Sequence, residues 1–161
     1  KFEWPLILSE NENIKKLAKA SFDVSEYIVD ISKNEGIADG LTPLKNSVSM
    51  HLACHARAQN MGAKGAEMLR LIPDTRVAIV ERCSGHGGSW GIMKDNFETA
   101  MKVGKTAAKT ALQSGAVHIA SECPLAAEHL MQGIERQDVE AAKTKETSHP
   151  IQLMAKSYGL S

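Results

Sequence analysis

Three cysteines and one glycine-rich loop are the parts of this sequence whose residue types could do chemistry. The loop reads ERCSGHGGSWG over residues 81–91 and holds Cys83 and His86 between its glycines. Cys54 lies in HLACHA and Cys123 in ASECPL, each just after an apolar run. Thiolates and imidazoles bind transition metals, and glycine-rich backbone can cradle anions. The loop could therefore bind phosphate, a metal or nothing.

The spacing of the glycines argues against phosphate. A dinucleotide-binding loop follows G-x-G-x-x-G, and Trp90 stands where a third glycine would follow Gly85 and Gly87. A Walker loop ends in Gly-Lys-Ser or Gly-Lys-Thr, and this loop does not. What remains is a loop in which Gly85, Gly87 and Gly88 let backbone amides approach a bulky anionic group, as around iron-sulfur clusters. The sequence therefore favours a metal, and we predict no bound nucleotide.

The elements that must position the cysteines follow an alternating pattern. Apolar, β-branched runs over 47–53, 76–81 and 116–122 predict buried strands, and helical periodicity over 61–72 and 97–111 fills the gaps between them. This rhythm predicts an α/β fold in three layers, a short parallel sheet with flanking helices. One cysteine follows each strand, and the carboxyl ends of parallel strands share one edge. We therefore expect the three cysteines to converge in space.

The remainder of the chain is predicted to be mostly helical. Residues 1–44 form a helical lead-in segment, with capping boxes at Ser9 and Asp23, and residues 45–161 form the α/β segment. After the third strand a helix should open at Pro124 and run to about residue 137. The polar stretch 138–148 either prolongs that helix or is a solvated connection, and a last helix covers 150–158.

A single cysteine is more often a small buried hydrophobic residue than a ligand. Three cysteines at equivalent strand ends favour a shared site. Histidines are commonly structural, and we retain His55 and His86 as candidate ligands while assigning His118 and His129 to packing or solvent. A thiol hydrolase with Cys54 activated by His55 or His86 is a weaker hypothesis, because no acidic residue is evidently placed to orient the base.

Composition excludes several classes of partner. The 161 residues suit one domain, and 19 basic residues balance 19 acidic ones, so no net field attracts nucleic acid. The apolar runs are far shorter than the roughly 20 residues of a membrane-spanning helix. Three cysteines make a poor disulfide framework, which indicates a reducing, cytoplasmic setting. Because the chain starts at Lys1, we expect it to be a piece of a longer protein.

Four segments together carry a family resemblance. HLACHARAQNMG, ERCSGHGGSWGIMK, ASECPLAAEH and HPIQLMAKSYGL cover most of residues 47–160. In this order they resemble the cysteine-rich CCG domains of heterodisulfide reductase and, more closely, of the iron-sulfur subunit of anaerobic glycerol-3-phosphate dehydrogenase. The start, KFEWPLIL, looks like the stretch beyond the first of two such domains. The resemblance therefore implies the C-terminal copy of a CCG-type domain.

The resemblance also implies a function and partners. In that family a ferredoxin-like segment precedes two CCG domains, and the proteins pass electrons between a flavoprotein partner and a quinone or thiol acceptor. For this chain it implies an electron-transfer domain without a catalytic residue of its own, in the cytoplasm or peripheral on the inner membrane face. Its cofactor would be an iron-sulfur cluster, of the four-iron kind.

The sequence departs from the family pattern of a lone cysteine, then CCG, then CxxC. The second motif is CSG from Cys83 and the third is CPLA from Cys123, so two of five thiolates are absent. A four-iron cluster normally takes four protein ligands, which leaves one iron for a histidine, solvent, substrate or a residue elsewhere. The alternative is a non-redox interaction module in which Cys54, Cys83, Cys123 and one histidine hold zinc.

Overall fold

The computed structural model describes residues 1–160, and residue 161, the end of the predicted α/β segment, lies outside it. These residues form an α/β fold around a sheet of four parallel strands in the order β2-β1-β3-β4. The strands are β1 (Val48–His51), β2 (Val77–Val80), β3 (His118–Ser121) and β4 (Glu146–Ser148).

Helices precede, connect and follow these strands. They are α1 (Glu3–Ile7), α2 (Glu12–Ala20), α3 (Val24–Asn34), α4 (Cys54–Ala58), α5 (Lys64–Leu69), α6 (Lys94–Gln113), α7 (Pro124–Glu135), α8 (Val139–Ala142) and α9 (Pro150–Ser157). A single 3-10 turn, Trp90–Ile92, ends the glycine-rich loop.

Two apolar clusters give the molecule its layers. One joins Val29 of α3 to α5, α9 and the side chains of Val48 and Met50. The other joins α6 and α7 to Val80 of β2 and Ile119 of β3. Since neighbouring side chains of a strand point to opposite faces, each face of the sheet is covered by one helical layer. The predicted three-layer α/β arrangement is confirmed.

The register aligns the strand ends. His51, the last residue of β1, pairs with Val80 of β2 on one side and with Ser121 of β3 on the other. These three residues therefore lie side by side at the carboxyl edge, and their side chains point to the same face of the sheet. Each of the three cysteines comes two or three residues after the last residue of its strand.

The structure corrects the predicted sheet and N-terminal caps. The sheet has a fourth strand within the stretch assigned to a helix or a solvated connection. The cap of α2 is Asn11 rather than Ser9, because the Asn11 side chain accepts from the amides of residues 13 and 14. Asp23 does cap α3 through the Ser25 amide, while its predicted partner Glu26 binds Lys1 instead.

Within residues 1–160, no helix is both long and apolar enough to cross a bilayer. The division at residue 44 stays a prediction.

Candidate cofactor site at the carboxyl edge of the sheet

The three cysteines occupy three different strand-to-helix junctions at the same edge of the sheet. Cys54 is the first residue of α4, Cys83 lies in the loop after β2, and Cys123 is the N-cap of α7. Cys54 and Cys83 are exposed, whereas Cys123 is half-buried against the cluster of Ala53, Ala56 and Met61. Because β1 lies between β2 and β3, the junction with Cys54 is the middle one.

His86 is the histidine that the structure brings to a cysteine. Its Nε2 lies 3.4 Å from the Sγ of Cys123, and its Nδ1 lies 2.8 Å from the carbonyl oxygen of Gly88. A carbonyl only accepts, so Nδ1 carries a proton, and Nε2 is the ring nitrogen that faces the sulfur. A backbone carbonyl on one ring nitrogen is also the usual way in which a metal-binding histidine is oriented.

The glycine-rich loop folds tightly over its own residues. Gly85, Gly87 and Gly88 all have positive φ angles, of 89°, 52° and 67°. The Gly91 amide donates to the His86 carbonyl at 2.7 Å, and the Gly85 amide donates to the Sγ of Cys83 at 3.4 Å. The loop thus supplies a backbone N–H to one of the candidate sulfur ligands.

Gly85 also makes a close contact that the sequence did not predict. A Cβ at Gly85 would strike the carbonyl oxygen of Ala100 in α6, and a Cβ at Gly104 would strike the carbonyl oxygen of Ser84. The loop and the helix therefore touch backbone to backbone through a pair of glycines. This contact fixes the height of the Cys83 loop above α6.

His51 links the three strand ends. It is buried, with 1% of its surface exposed. Its Nε2 donates to the carbonyl oxygen of Arg82 at 2.9 Å, and its Nδ1 lies 3.1 Å from the Ser121 hydroxyl. That hydroxyl oxygen in turn accepts from the Cys123 amide at 3.3 Å. One hydrogen-bonded chain therefore runs from the residue before Cys83, through β1, to Cys123.

Glu122 adds a second link between the junctions that follow β1 and β3. It is 7% exposed, and its Oε2 accepts from the Ala53 amide, 3.3 Å away, next to Cys54. Its Oε1 has no hydrogen-bond partner among residues 1–160. Burial raises the pKa of this carboxyl group, because the charged form loses its hydration. Sequence reasoning missed Glu122, Ser121 and the role of His51, although each stands within three residues of a cysteine.

His55 faces a cleft to which neither His86 nor Cys123 contributes. It lines this cleft, of about 540 Å³, together with Phe22, Asp23 and Gln59. The weaker hydrolase hypothesis placed His55 or His86 on Cys54, and the structure instead pairs His86 with Cys123.

The predicted ligands lie at one edge of the sheet, but their side chains do not converge on a single position. In the part of the chain that the structure describes, no three Cys, His, Asp or Glu side chains converge enough to hold a single metal ion. A cluster is a multi-atom core that spaces its thiolates apart, and thiolates are the ligands that such cores take. Three thiols at one edge, one of them with a backbone N–H donor, fit that kind of group. Which of these residues bind it stays a prediction.

His129 was assigned to packing or solvent and is buried, with 3% of its surface exposed. Its ring meets the edge of Phe97 at a centroid distance of 5.9 Å and lies 6.5 Å from the ring of His86. Burial lowers the pKa of His129, and it does the same for His51 and His118.

The lowered pKa of His51 predicts that mild acid destabilises the protein. An unfolded histidine titrates near 6.5, so between that value and the lower folded pKa only the unfolded state takes up the proton. The stability is complete above about pH 6.5 and falls below it, by at most about 1.4 kcal/mol per pH unit for this residue. We expect urea unfolding of the metal-free protein to show a smaller loss between pH 7.5 and 5.5 for His51→Gln than for the parent.

Comparing parent and variant cancels the opposite contribution of Glu122, whose raised pKa favours the folded state as the pH falls towards 4.5. Equal losses of stability in the two proteins would contradict a neutral, buried His51.

Comparisons with known proteins find two relevant relatives. The chain is 26% identical over 125 residues, 77% of its length, to a subunit of the anaerobic glycerol-3-phosphate dehydrogenase of Escherichia coli K12. It is 28% identical over 170 aligned residues, its whole length, to a subunit of the dihydromethanophenazine:CoB–CoM heterodisulfide reductase of Methanosarcina acetivorans. No protein-family model matches the chain, and no solved structure matches it significantly.

The chain is thus similar to subunits of two oxidoreductases. Its match spans 29% of the first relative and 38% of the second, less than two fifths of either. The predicted resemblance to oxidoreductase subunits is supported, and the assignment to the C-terminal copy of a CCG domain stays a prediction.

Proposed function

We propose that this chain is an iron-sulfur electron-transfer domain of a larger oxidoreductase. The observation that carries the proposal is the placement of Cys54, Cys83 and Cys123 at three neighbouring strand ends on one edge of the sheet. The similarity to subunits of two oxidoreductases supports the redox assignment. When bound, the cluster would supply one-electron transfer, and the protein would hold and tune it.

The protein residues would act on the cluster in three ways. The thiolates of Cys54, Cys83 and Cys123 would bind it. The Gly85 amide would donate to the Cys83 sulfur, and hydrogen bonds to the sulfurs are one of the means by which proteins set the potential of a cluster. Gly87 and Gly88 would let the loop close over the bound group.

His86 is the proposed fourth ligand. Its Nε2 lies beside Cys123, and its Nδ1 is held by the Gly88 carbonyl, so Nε2 is oriented towards the candidate sulfur ligand. His55 is the rival ligand. It directly follows Cys54 in α4, but it lines the cleft with Asp23, which supports ranking it second.

The proposed partners are the other parts of such an enzyme. They are the remainder of a longer chain, with ferredoxin-like and first CCG domains, and a flavoprotein subunit that exchanges electrons with a quinone or thiol acceptor. Trp90 is exposed near the end of the glycine-rich loop, Ile92 and Met93 are exposed just beyond it, and Leu125 is exposed just beyond Cys123. Apolar side chains grouped around a site are typical of surfaces that a partner covers. We place the protein in the cytoplasm, with peripheral contact to the inner membrane face as an option.

Metal and sulfide analysis tests the proposal directly. The protein is purified without oxygen, reconstituted with ferrous iron and sulfide, desalted and assayed for iron, acid-labile sulfide and zinc. We expect iron and sulfide in equal amounts, about four of each per chain, with a thiolate-to-iron absorption band.

Zinc is the competing result. A protein that retains about one zinc per chain through purification, and takes up neither iron nor sulfide, would be the zinc-stabilised interaction module instead. That outcome would overturn the redox proposal while leaving the cysteines as ligands.

A further inference from the structure

The end of β1 contains a buried histidine where packing alone would favour an apolar residue. The equivalent position in β2 is Val80, which faces the same helical layer. Burying an imidazole costs hydration, and that cost is offset only where both ring nitrogens find partners. His51 has both, the Arg82 carbonyl and the Ser121 hydroxyl.

Both partners belong to cysteine junctions. Arg82 directly precedes Cys83, and the hydroxyl of Ser121 also accepts from the amide of Cys123. Beyond the strands the backbone leaves the sheet, so the ladder hydrogen bonds no longer hold these junctions. The two hydrogen bonds of the His51 side chain connect β1 to Arg82 and to Ser121. They therefore hold the three strands together just before the residues that carry the thiols.

We infer that His51 and Ser121 are positioning residues that hold Cys83 and Cys123 at a fixed separation for a shared cofactor. This inference rests on the proposed function for the identity of the cofactor. The positioning itself is a property of the protein without metal and can be measured there. Both ring nitrogens of His51 are bonded to groups other than a cysteine sulfur. His51 acts through the backbone of the neighbouring residues.

The variants separate positioning from general stability. Ser121→Ala removes the hydroxyl between His51 and Cys123. Ser49→Ala is its matched control, a buried strand serine on the same face whose hydroxyl has no hydrogen-bond partner among residues 1–160. His51→Leu removes both bonds, whereas His51→Gln keeps an N–H that can reach the Arg82 carbonyl and should rescue part of the effect.

The first measurement uses the metal-free protein. Each cysteine is alkylated with iodoacetamide under reducing, native conditions, and its rate is followed by mass spectrometry. Breaking the bonds should raise the rate at Cys123 severalfold in Ser121→Ala relative to Ser49→Ala. Cys54 is the internal standard, since residues 52–54 take part in neither of the two bonds. Equal rates at Cys123 in the two serine variants would overturn the inference, whether or not the protein binds a cluster.

The second measurement uses the reconstituted protein. We expect Ser121→Ala and His51→Leu to bind iron about tenfold more weakly or worse, as for other residues that orient ligands, and to shift the midpoint potential and broaden the paramagnetic signal. Ser49→Ala should match the parent, and His51→Gln should lie between. Parental affinity, potential and signal in Ser121→Ala would overturn the inference. A parent that takes up no iron would instead refute the proposed function, and the alkylation rates would still decide the role of His51.

Discussion

Serine in place of Cys54, Cys83 or Cys123 is expected to abolish iron and sulfide uptake on anaerobic reconstitution. Each strand-to-helix junction carries a single cysteine, so no neighbouring cysteine can replace a lost one. A serine hydroxyl is a hard, weakly acidic oxygen donor, and iron-sulfur clusters are held by thiolates. With three sulfur ligands in all, the loss of one leaves too few to retain the cluster through desalting. Iron, sulfide and visible absorption measure the result.

Ser89→Ala is the matched control, because Ser89 is exposed in the same loop as Cys83. It should take up iron as the parent does. Among the histidines, His86→Ala should lower iron content or alter the paramagnetic signal more than His55→Ala does. Parental uptake by all three cysteine variants would refute the metal site, whereas a reversed histidine order would move the fourth ligand to His55.

Alanine at Gly104 is expected to destabilise the protein by about 2 to 3 kcal/mol, as overpacking of a close contact does. On propensity alone the change should stabilise α6, since alanine is favoured over glycine in a helix interior by about 1 kcal/mol. Here the new Cβ would meet the carbonyl oxygen of Ser84, a backbone atom that cannot turn away. Unfolding in urea at neutral pH measures the change.

Lys105 supplies the control for helix propensity. It is the exposed neighbour of Gly104 in α6, so Lys105→Ala should be more stable than Lys105→Gly by about 1 kcal/mol. If Gly104→Ala is more stable than the parent, as helix propensity alone would make it, the loop lies farther from the helix than the structure has it.

The layers of the fold could be predicted because their signals are local and repeated. Apolar runs such as VAIV at 77–80 and the periodicity of α6 each span several residues that act together. The missed strand lacks such a pattern. β4 is three polar residues at the edge of the sheet. Its form depends on the strand that it pairs with rather than on its own sequence.

The candidate site could be predicted only in part for a related reason. The strand ends place the cysteines at one edge whatever the exact pairing, so the prediction did not need the register. The hydrogen bonds of His51 do need it, because Ser121 is 70 residues away and meets the imidazole only in the observed pairing of β1 with β3. The contact of Glu122 with the Ala53 amide likewise depends on how two junctions pack. His86 could be proposed from its loop, but its choice of Cys123 could not.

The three thiols follow three different strands, and this placement affects when a cofactor could bind during folding. A chain with a compact C-x-x-C motif has its thiols close together before it folds, whereas here the three thiols share an edge only after non-local parallel pairings have formed, which is a slow kind of folding. Under the proposed function, cofactor loading would therefore follow the folding of the sheet. Because the cofactor would bind the native state far better than the unfolded chain, its insertion would stabilise the folded sheet edge by mass action.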